Sequence, residues 1–147
     1  MTQDLPIKEK KSIFNKTSLE DIHQEIRDIY QSDNRPWVIG YSGGKDSTTA
    51  LQLVWYALSE LPEDKRMKPV FVICSDTYVE TPIIIDYITT TLDKINKKSQ
   101  DAKMPFSAVK LFPRISDTFW VNLIGKGYPA PSTQFRWCTH RLKIKPA

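Results

Sequence analysis

The stretch Trp37-Val-Ile-Gly-Tyr-Ser-Gly-Gly-Lys-Asp-Ser47 decides how this chain is read. Pro36 introduces an apolar run, Trp37 to Tyr41, short enough for a buried strand and broken by two adjacent glycines. Beyond Ser47, Leu51, Val54, Trp55 and Leu58 recur at helical spacing. A strand therefore passes through a tight glycine turn straight into a helix whose apolar stripe faces a sheet.

The flanking sequence repeats the alternation. Upstream, Thr17 with Glu20 predicts a capping box, followed by an amphipathic helix through Leu19, Ile22, Ile26, Ile29 and Tyr30. Residues 1–16 carry Lys8, Lys10, Lys11 and Lys16 without apolar periodicity, which predicts a flexible basic arm and leaves 17–147 as the domain. Downstream, Val70-Phe-Val-Ile-Cys74 predicts a second strand ending in Ser75-Asp76-Thr77. Thr81-Pro82 starts a helix with Ile84, Ile85, Ile88, Leu92 and Ile95 as its stripe, because proline is tolerated at the first helical position. Asn96 to Lys103 is polar and predicts a loop, and Phe106 to Phe112 a third strand. Ser116 then caps a short helix through Phe119, Trp120 and Leu123 to Gly125, with Trp55 and Trp120 in the core. Strands alternating with helices predict an α/β fold, a mainly parallel twisted sheet with helices on both faces. In such sheets ligands bind beyond the carboxyl ends of the strands, where the turns after Tyr41 and Cys74 fall.

Composition narrows the class. With 147 residues, 40% of them hydrophobic and 26% charged, the chain is neither collagen-like nor wholly disordered. No apolar run approaches the ~18 residues of a membrane span, and the polar start is no signal peptide, so a cytoplasmic protein without a membrane partner is expected. The two cysteines, Cys74 and Cys138, are too few for a disulfide framework. The net charge of +4 is modest, but its distribution is not even. After Asp117 come Lys126, Arg136, Arg141, Lys143 and Lys145 with no carboxylate among them. Phosphate, nucleic acid or another part of a longer protein is expected to supply the counter-charge, unless the stretch is simply a solvated basic tail.

Ser42-Gly43-Gly44-Lys45-Asp46-Ser47 suits phosphate binding for physical reasons. Paired glycines bring the backbone close to an anion, and free amides and the helix dipole point at it. Lys45 adds a full charge, Ser42 and Ser47 add hydroxyl donors, and Asp46 could hold a Mg²⁺ that bridges phosphate oxygens. The loop is not a Walker A sequence, since Ile39 stands at the required first glycine and Asp46 follows the lysine. A Gly-x-Gly-x-x-Gly fingerprint is also absent. The plain alternative is a glycine turn that only joins strand to helix.

These residues resemble the PP-loop of ATP pyrophosphatases, which split ATP between its α and β phosphates. Ser75-Asp-Thr-Tyr-Val-Glu-Thr-Pro82 is similar to the Asp-Thr…Glu-Thr segment of the phosphoadenosine phosphosulfate (PAPS) reductase family. Phe135-Arg-Trp-Cys-Thr139 with Arg141-Leu-Lys143 is similar to that family's arginine- and cysteine-bearing segment. Trp120-Val-Asn-Leu-Ile-Gly-Lys-Gly-Tyr-Pro129 draws the resemblance nearest to its DNA sulfur modification (DndC-type) branch. It spans roughly residues 35 to 145 and implies a Rossmann-like, adenine nucleotide alpha hydrolase-like fold.

The resemblance also implies a function: ATP-dependent sulfur insertion into the DNA backbone (phosphorothioation), with the phosphate activated by adenylation and pyrophosphate released. ATP and Mg²⁺ are then the expected cofactors. DNA and other phosphorothioation proteins, including a cysteine desulfurase as sulfur donor, are the expected partners, with homo-oligomerisation left open. Ser42 to Ser47, Ser75 and Asp76 would bind ATP; Asp46 and Asp76 would hold Mg²⁺; Lys45, Asp46 and Cys138 would be catalytic. Lys126, Arg136, Arg141 and Lys143 would hold the substrate phosphate. Cys138, among cations that favour a thiolate, suits sulfur carriage or iron–sulfur ligation. An acidic residue is expected where His140 stands. DndC-type proteins are longer and carry an iron–sulfur (4Fe–4S) cluster, so this chain is expected to be an N-terminal fragment or truncated product. A PAPS reductase, a sulfate adenylyltransferase-like enzyme or an inactive nucleotide-binding module are the alternatives.

Overall fold

A computed structural model describes residues 18–147; the expected basic arm and Thr17 lie outside the described residues. Helix α1 (Leu19–Gln31) precedes strand β1 (Trp37–Gly40), helix α2 (Lys45–Ser59), strand β2 (Val70–Ser75), helix α3 (Pro82–Asp101) and strand β3 (Phe106–Leu111). The strands form one sheet in the order β1-β2-β3, all parallel, with Trp37 opposite Val70 and Val70 opposite Phe106. The α/β class is as expected. Pairing runs one residue past the strand ends, with Tyr41 N–H donating to Ile73 C=O at 2.8 Å and Asp76 N–H to Leu111 C=O at 2.9 Å.

Burial along β2 alternates, with Val70, Val72 and Cys74 enclosed and Phe71 exposed. The enclosed row packs with Tyr30 of α1, Leu51, Val54, Trp55 and Leu58 of α2, and Ile88, Leu92 and Ile95 of α3. The Trp55 ring lies 4.8 Å from that of Phe106, and Tyr30 meets Trp37 edge-on at 5.3 Å. All three helices therefore contribute to the same face. The second face is the part of the expectation that differs: among the described residues Val38 is 61% exposed, Phe71 36% and Val109 40%.

Three local readings are corrected. The capping box uses Ser18 and Asp21, one residue later than Thr17 and Glu20: Asp21 N–H donates to Ser18 Oγ at 3.1 Å and Ser18 N–H to Asp21 Oδ2 at 2.9 Å. That register frees Glu20 to accept from the buried Arg27 at 2.5 Å. Ser116 caps nothing, because it lies inside the 3₁₀ turn Ile115–Asp117; the following helical turn, Phe119 into the π-helical Val121–Gly125, begins three residues later. Trp120 is 54% exposed there, and the buried indole is Trp137, stacked on Phe119 and donating to Pro129 C=O at 3.0 Å.

The third correction concerns Asn96 to Lys103, which continues α3 to Asp101 instead of forming a loop. Its polar residues dock the helix. Ser99, fully enclosed, lies 2.8 Å from Met104 C=O and 2.7 Å from Phe106 C=O. Asn96 Nδ2 donates to Ala108 C=O at 3.0 Å while Ala108 N–H donates to Asn96 Oδ1 at 2.7 Å. Both groups of Ala108 point away from β2, so Asn96 completes the edge of the sheet as another strand would.

Asn96→Ala is expected to leave both Ala108 groups without their partner and to cost about 2 kcal/mol by urea unfolding. Asn96→Asp keeps the acceptor and is expected to fall between the two; equal stability of wild type and Asn96→Ala would refute this edge role.

Candidate functional site

Parallel pairing delivers the turns after β1 and β2 to the same edge. Gly43 holds φ +74°, the left-handed region where a β-carbon is strained, and that β-carbon would lie 3.5 Å from Ile88 and Tyr87 of α3. Gly44 is the N-cap of α2 and offers no side-chain cap, so the helix starts with open amides and its positive dipole end. The two serines clasp the loop: Ser42 N–H donates to Ser47 Oγ at 3.2 Å, the two hydroxyls are 3.1 Å apart, and Ser47 Oγ donates to Gly44 C=O at 3.1 Å. Their first role is thus to hold the turn. Lys45 and Asp46 stand exposed on the first helical turn.

A cleft of about 300 Å³ opens against this loop, lined by Ser42, Cys74, Ser75, Glu80 and, from the far end of the chain, Lys143. Ser42, Ser75 and Lys143, named from sequence, are therefore brought together. Lys143 arrives on a helical segment, Trp137–Thr139 running into the π-helical His140–Ile144.

Other expected residues are engaged elsewhere. Asp76 accepts from Tyr78 N–H at 3.0 Å and faces Lys110 Nζ at 3.7 Å, so its charge already has a cation and its fit to Mg²⁺ is poor; Asp46 is the open carboxylate. Lys126 donates to Ser116 C=O at 2.5 Å, and Arg136 Nε to Thr133 C=O at 3.1 Å. Arg141 donates to Asp117 at 2.7 Å and to the Tyr128 hydroxyl at 2.8 Å, and Lys145 reaches Asp117 at 2.5 Å. The basic stretch is thus partly neutralised from within, by the acid that opens it, which corrects the expectation of a wholly external counter-charge. Lys145 and Arg141 hold the Asp117 carboxyl below the usual carboxylate range.

One residue escaped the sequence reading: Lys110, which lies across the strand ends from Asp76. Glu80, which the sequence offers as a charge at the start of the next helix, lines the cleft and accepts from the buried Thr77 hydroxyl. The Asp76–Lys110 pairing follows from the register, where Cys74 faces Lys110, and β3 could have signalled it by its one inward-spaced cation.

The two cysteines do not fit an iron–sulfur cluster, which takes four thiolates as a rule. Cys74 is buried in β2, where burial pushes its thiol up, and Cys138 is half-buried outside the cleft. Glu20, His23 and Glu60 converge between α1 and α2, but Arg27 already binds both carboxylates and supplies the cation there.

No family model matches the chain, and no solved structure matches it. It is 26% identical over 121 residues to an uncharacterized protein of Methanocaldococcus jannaschii; the match covers 82% of this chain and 21% of that protein, so the chain spans about a fifth of the relative's length. Among the described residues no helix is long and apolar enough to cross a membrane.

Two outcomes follow. Iodoacetamide is expected to label Cys138 before Cys74, read by mass spectrometry across pH; Cys74 reacting first would place β2 wrongly. For Asp117→Asn, a lower melting temperature than wild type is expected at pH 7. A depressed folded pKa gives stability that is present above the unfolded value of about 3.9 and lost as pH falls through the folded one. The gap should therefore narrow in melts below about pH 4, and a constant gap would count against the ion pairs.

Proposed function

We propose that this chain is the nucleotide-binding part of an ATP-using enzyme that inserts sulfur into the DNA backbone. The observation that carries the nucleotide half is the uncapped start of α2 behind Ser42-Gly-Gly, with Lys143 lining the cleft that Ser42 also lines. The DNA half rests on the resemblance of residues 35 to 145 and on the basic segment.

In this reading the ATP phosphates lie on the open amides of Lys45, Asp46 and Ser47, and the Lys45 and Lys143 ammonium groups offset their charge. Asp46 would hold Mg²⁺, which when bound draws charge from the departing pyrophosphate. A DNA phosphate oxygen attacks the α phosphorus; the bond to pyrophosphate breaks and the DNA phosphate gains an AMP leaving group. The outer sulfur of a persulfide supplied by a cysteine desulfurase partner then attacks the DNA phosphorus and AMP departs; an external thiol reductant cleaves the resulting S–S bond, leaving the sulfur on the DNA phosphate and returning the carrier thiol. Cys138, half-buried outside the cleft, is the residue that would receive such sulfur.

The test is calorimetric titration with Mg-ATP beside an assay of pyrophosphate release with and without DNA. Lys45→Ala with Asp46→Ala is expected to weaken ATP binding by about a hundredfold or more, since each charge-assisted contact contributes about 1.5–3 kcal/mol. Unchanged affinity would sink the site. Pyrophosphate release indifferent to DNA would favour a small sulfur oxyanion as substrate, and none at all a binding module.

A further inference from the structure

Beside the nucleotide cleft, Phe112, Arg114, Asp117, Arg141, Lys145 and Pro146 enclose a second cavity of about 290 Å³. Its charges do not balance, because Arg114, Arg141 and Lys145 share one carboxylate. Asp117 is buried and holds Arg141 at 2.7 Å and Lys145 at 2.5 Å, which fixes those two cations in place more than it cancels the group. Arg114 is exposed and has no ion-pair partner among the described residues. At the same edge the half-exposed Phe112 ring stacks on Tyr78, with centroids 5.5 Å apart and planes 20° from parallel. Tyr78 holds φ +59°, unusual for an aromatic residue, with its N–H fixed by Asp76 at 3.0 Å. The turn after β2 is thus bent in the way that sets this ring against Phe112.

A surplus of cations, two of them held by Asp117, beside an open aromatic face matches a phosphate that carries a base. We propose that this cavity binds a phosphate of a single nucleic-acid strand, with a neighbouring base stacked on the Phe112–Tyr78 pair, as a site distinct from the phosphate loop. An unpaired strand is specified because a base held in a duplex has no free face to stack. Inorganic phosphate would use the cations and leave the rings idle. Lys145 of this cavity and Lys143 of the nucleotide cleft stand two residues apart, so one helical segment serves both. The inference rests on the proposed function only in taking DNA as the polymer.

The deciding measurement is fluorescence anisotropy of a labelled oligothymidine strand over a series of salt concentrations, with thymidine monophosphate and inorganic phosphate as competitors and Mg-ATP titrated separately. Arg114→Ala, a surface change, is expected to weaken strand binding about tenfold and to make the slope of log K against log salt shallower by about 0.7. Phe112→Ala is expected to cost about tenfold with the slope unchanged, through lost stacking. ATP affinity is expected to hold in both. A strand affinity within twofold of wild type in Arg114→Ala, no strand binding at all, or thymidine monophosphate competing as well as the strand would each overturn the proposal. Arg114-dependent strand binding in a protein that fails to bind ATP would leave this site standing while the nucleotide reading falls.

Discussion

Everything at the candidate site depends on β2 being paired in parallel on both sides. Parallel strands in the order β1-β2-β3 send all three carboxyl ends to one edge, so the Gly43 turn, the Asp76 turn and Phe112 meet there although they are far apart in sequence. Hydrogen bonds from Tyr41 and Asp76 extend the ladders by one residue and fix where each turn begins. Reversing one strand would carry its turn to the opposite edge and separate Ser42 from Ser75. The same pairing sets the requirement for glycine at position 43: with α3 packed behind the loop, the chain must turn with φ positive and with Tyr87 and Ile88 at van der Waals distance.

What was legible in the sequence was what local chemistry dictates. The apolar runs at Trp37 and Val70, the glycine turn and the Thr81-Pro82 helix start each carry their own signal, and each is found within a residue or so. What was not legible depends on partners distant in sequence. Asn96 and Ser99 read as loop residues because their value lies in backbone groups of β3, twelve and seven residues on. Arg141 read as a free cation because Asp117, twenty-four residues earlier, could not be seen to fold back on it. The capping box lies one residue later than expected, at Ser18 and Asp21, and Glu20 pairs instead with Arg27, seven residues on. At the candidate site, the glycine turn from β1 into α2 was readable outright, whereas the approach of Lys143 and the pairing of Asp76 with Lys110 required the tertiary fold.

The basic C-terminal stretch shows why counting charges misjudges a surface. A solvated tail would spread its cations evenly, each hydrated and each costing nothing to leave unpaired. Here one buried carboxylate takes two of them, and the segment that carries Arg141 and Lys145 is anchored through Trp137 and Leu142 as well. Once anchored, the segment carries Lys143 to the wall of the cleft that Ser42 also lines, and Lys145 to the neighbouring cavity. Asp117 therefore lowers the net charge of the stretch while raising its value as an anion site, because cations fixed before a ligand arrives lose less freedom when they bind it.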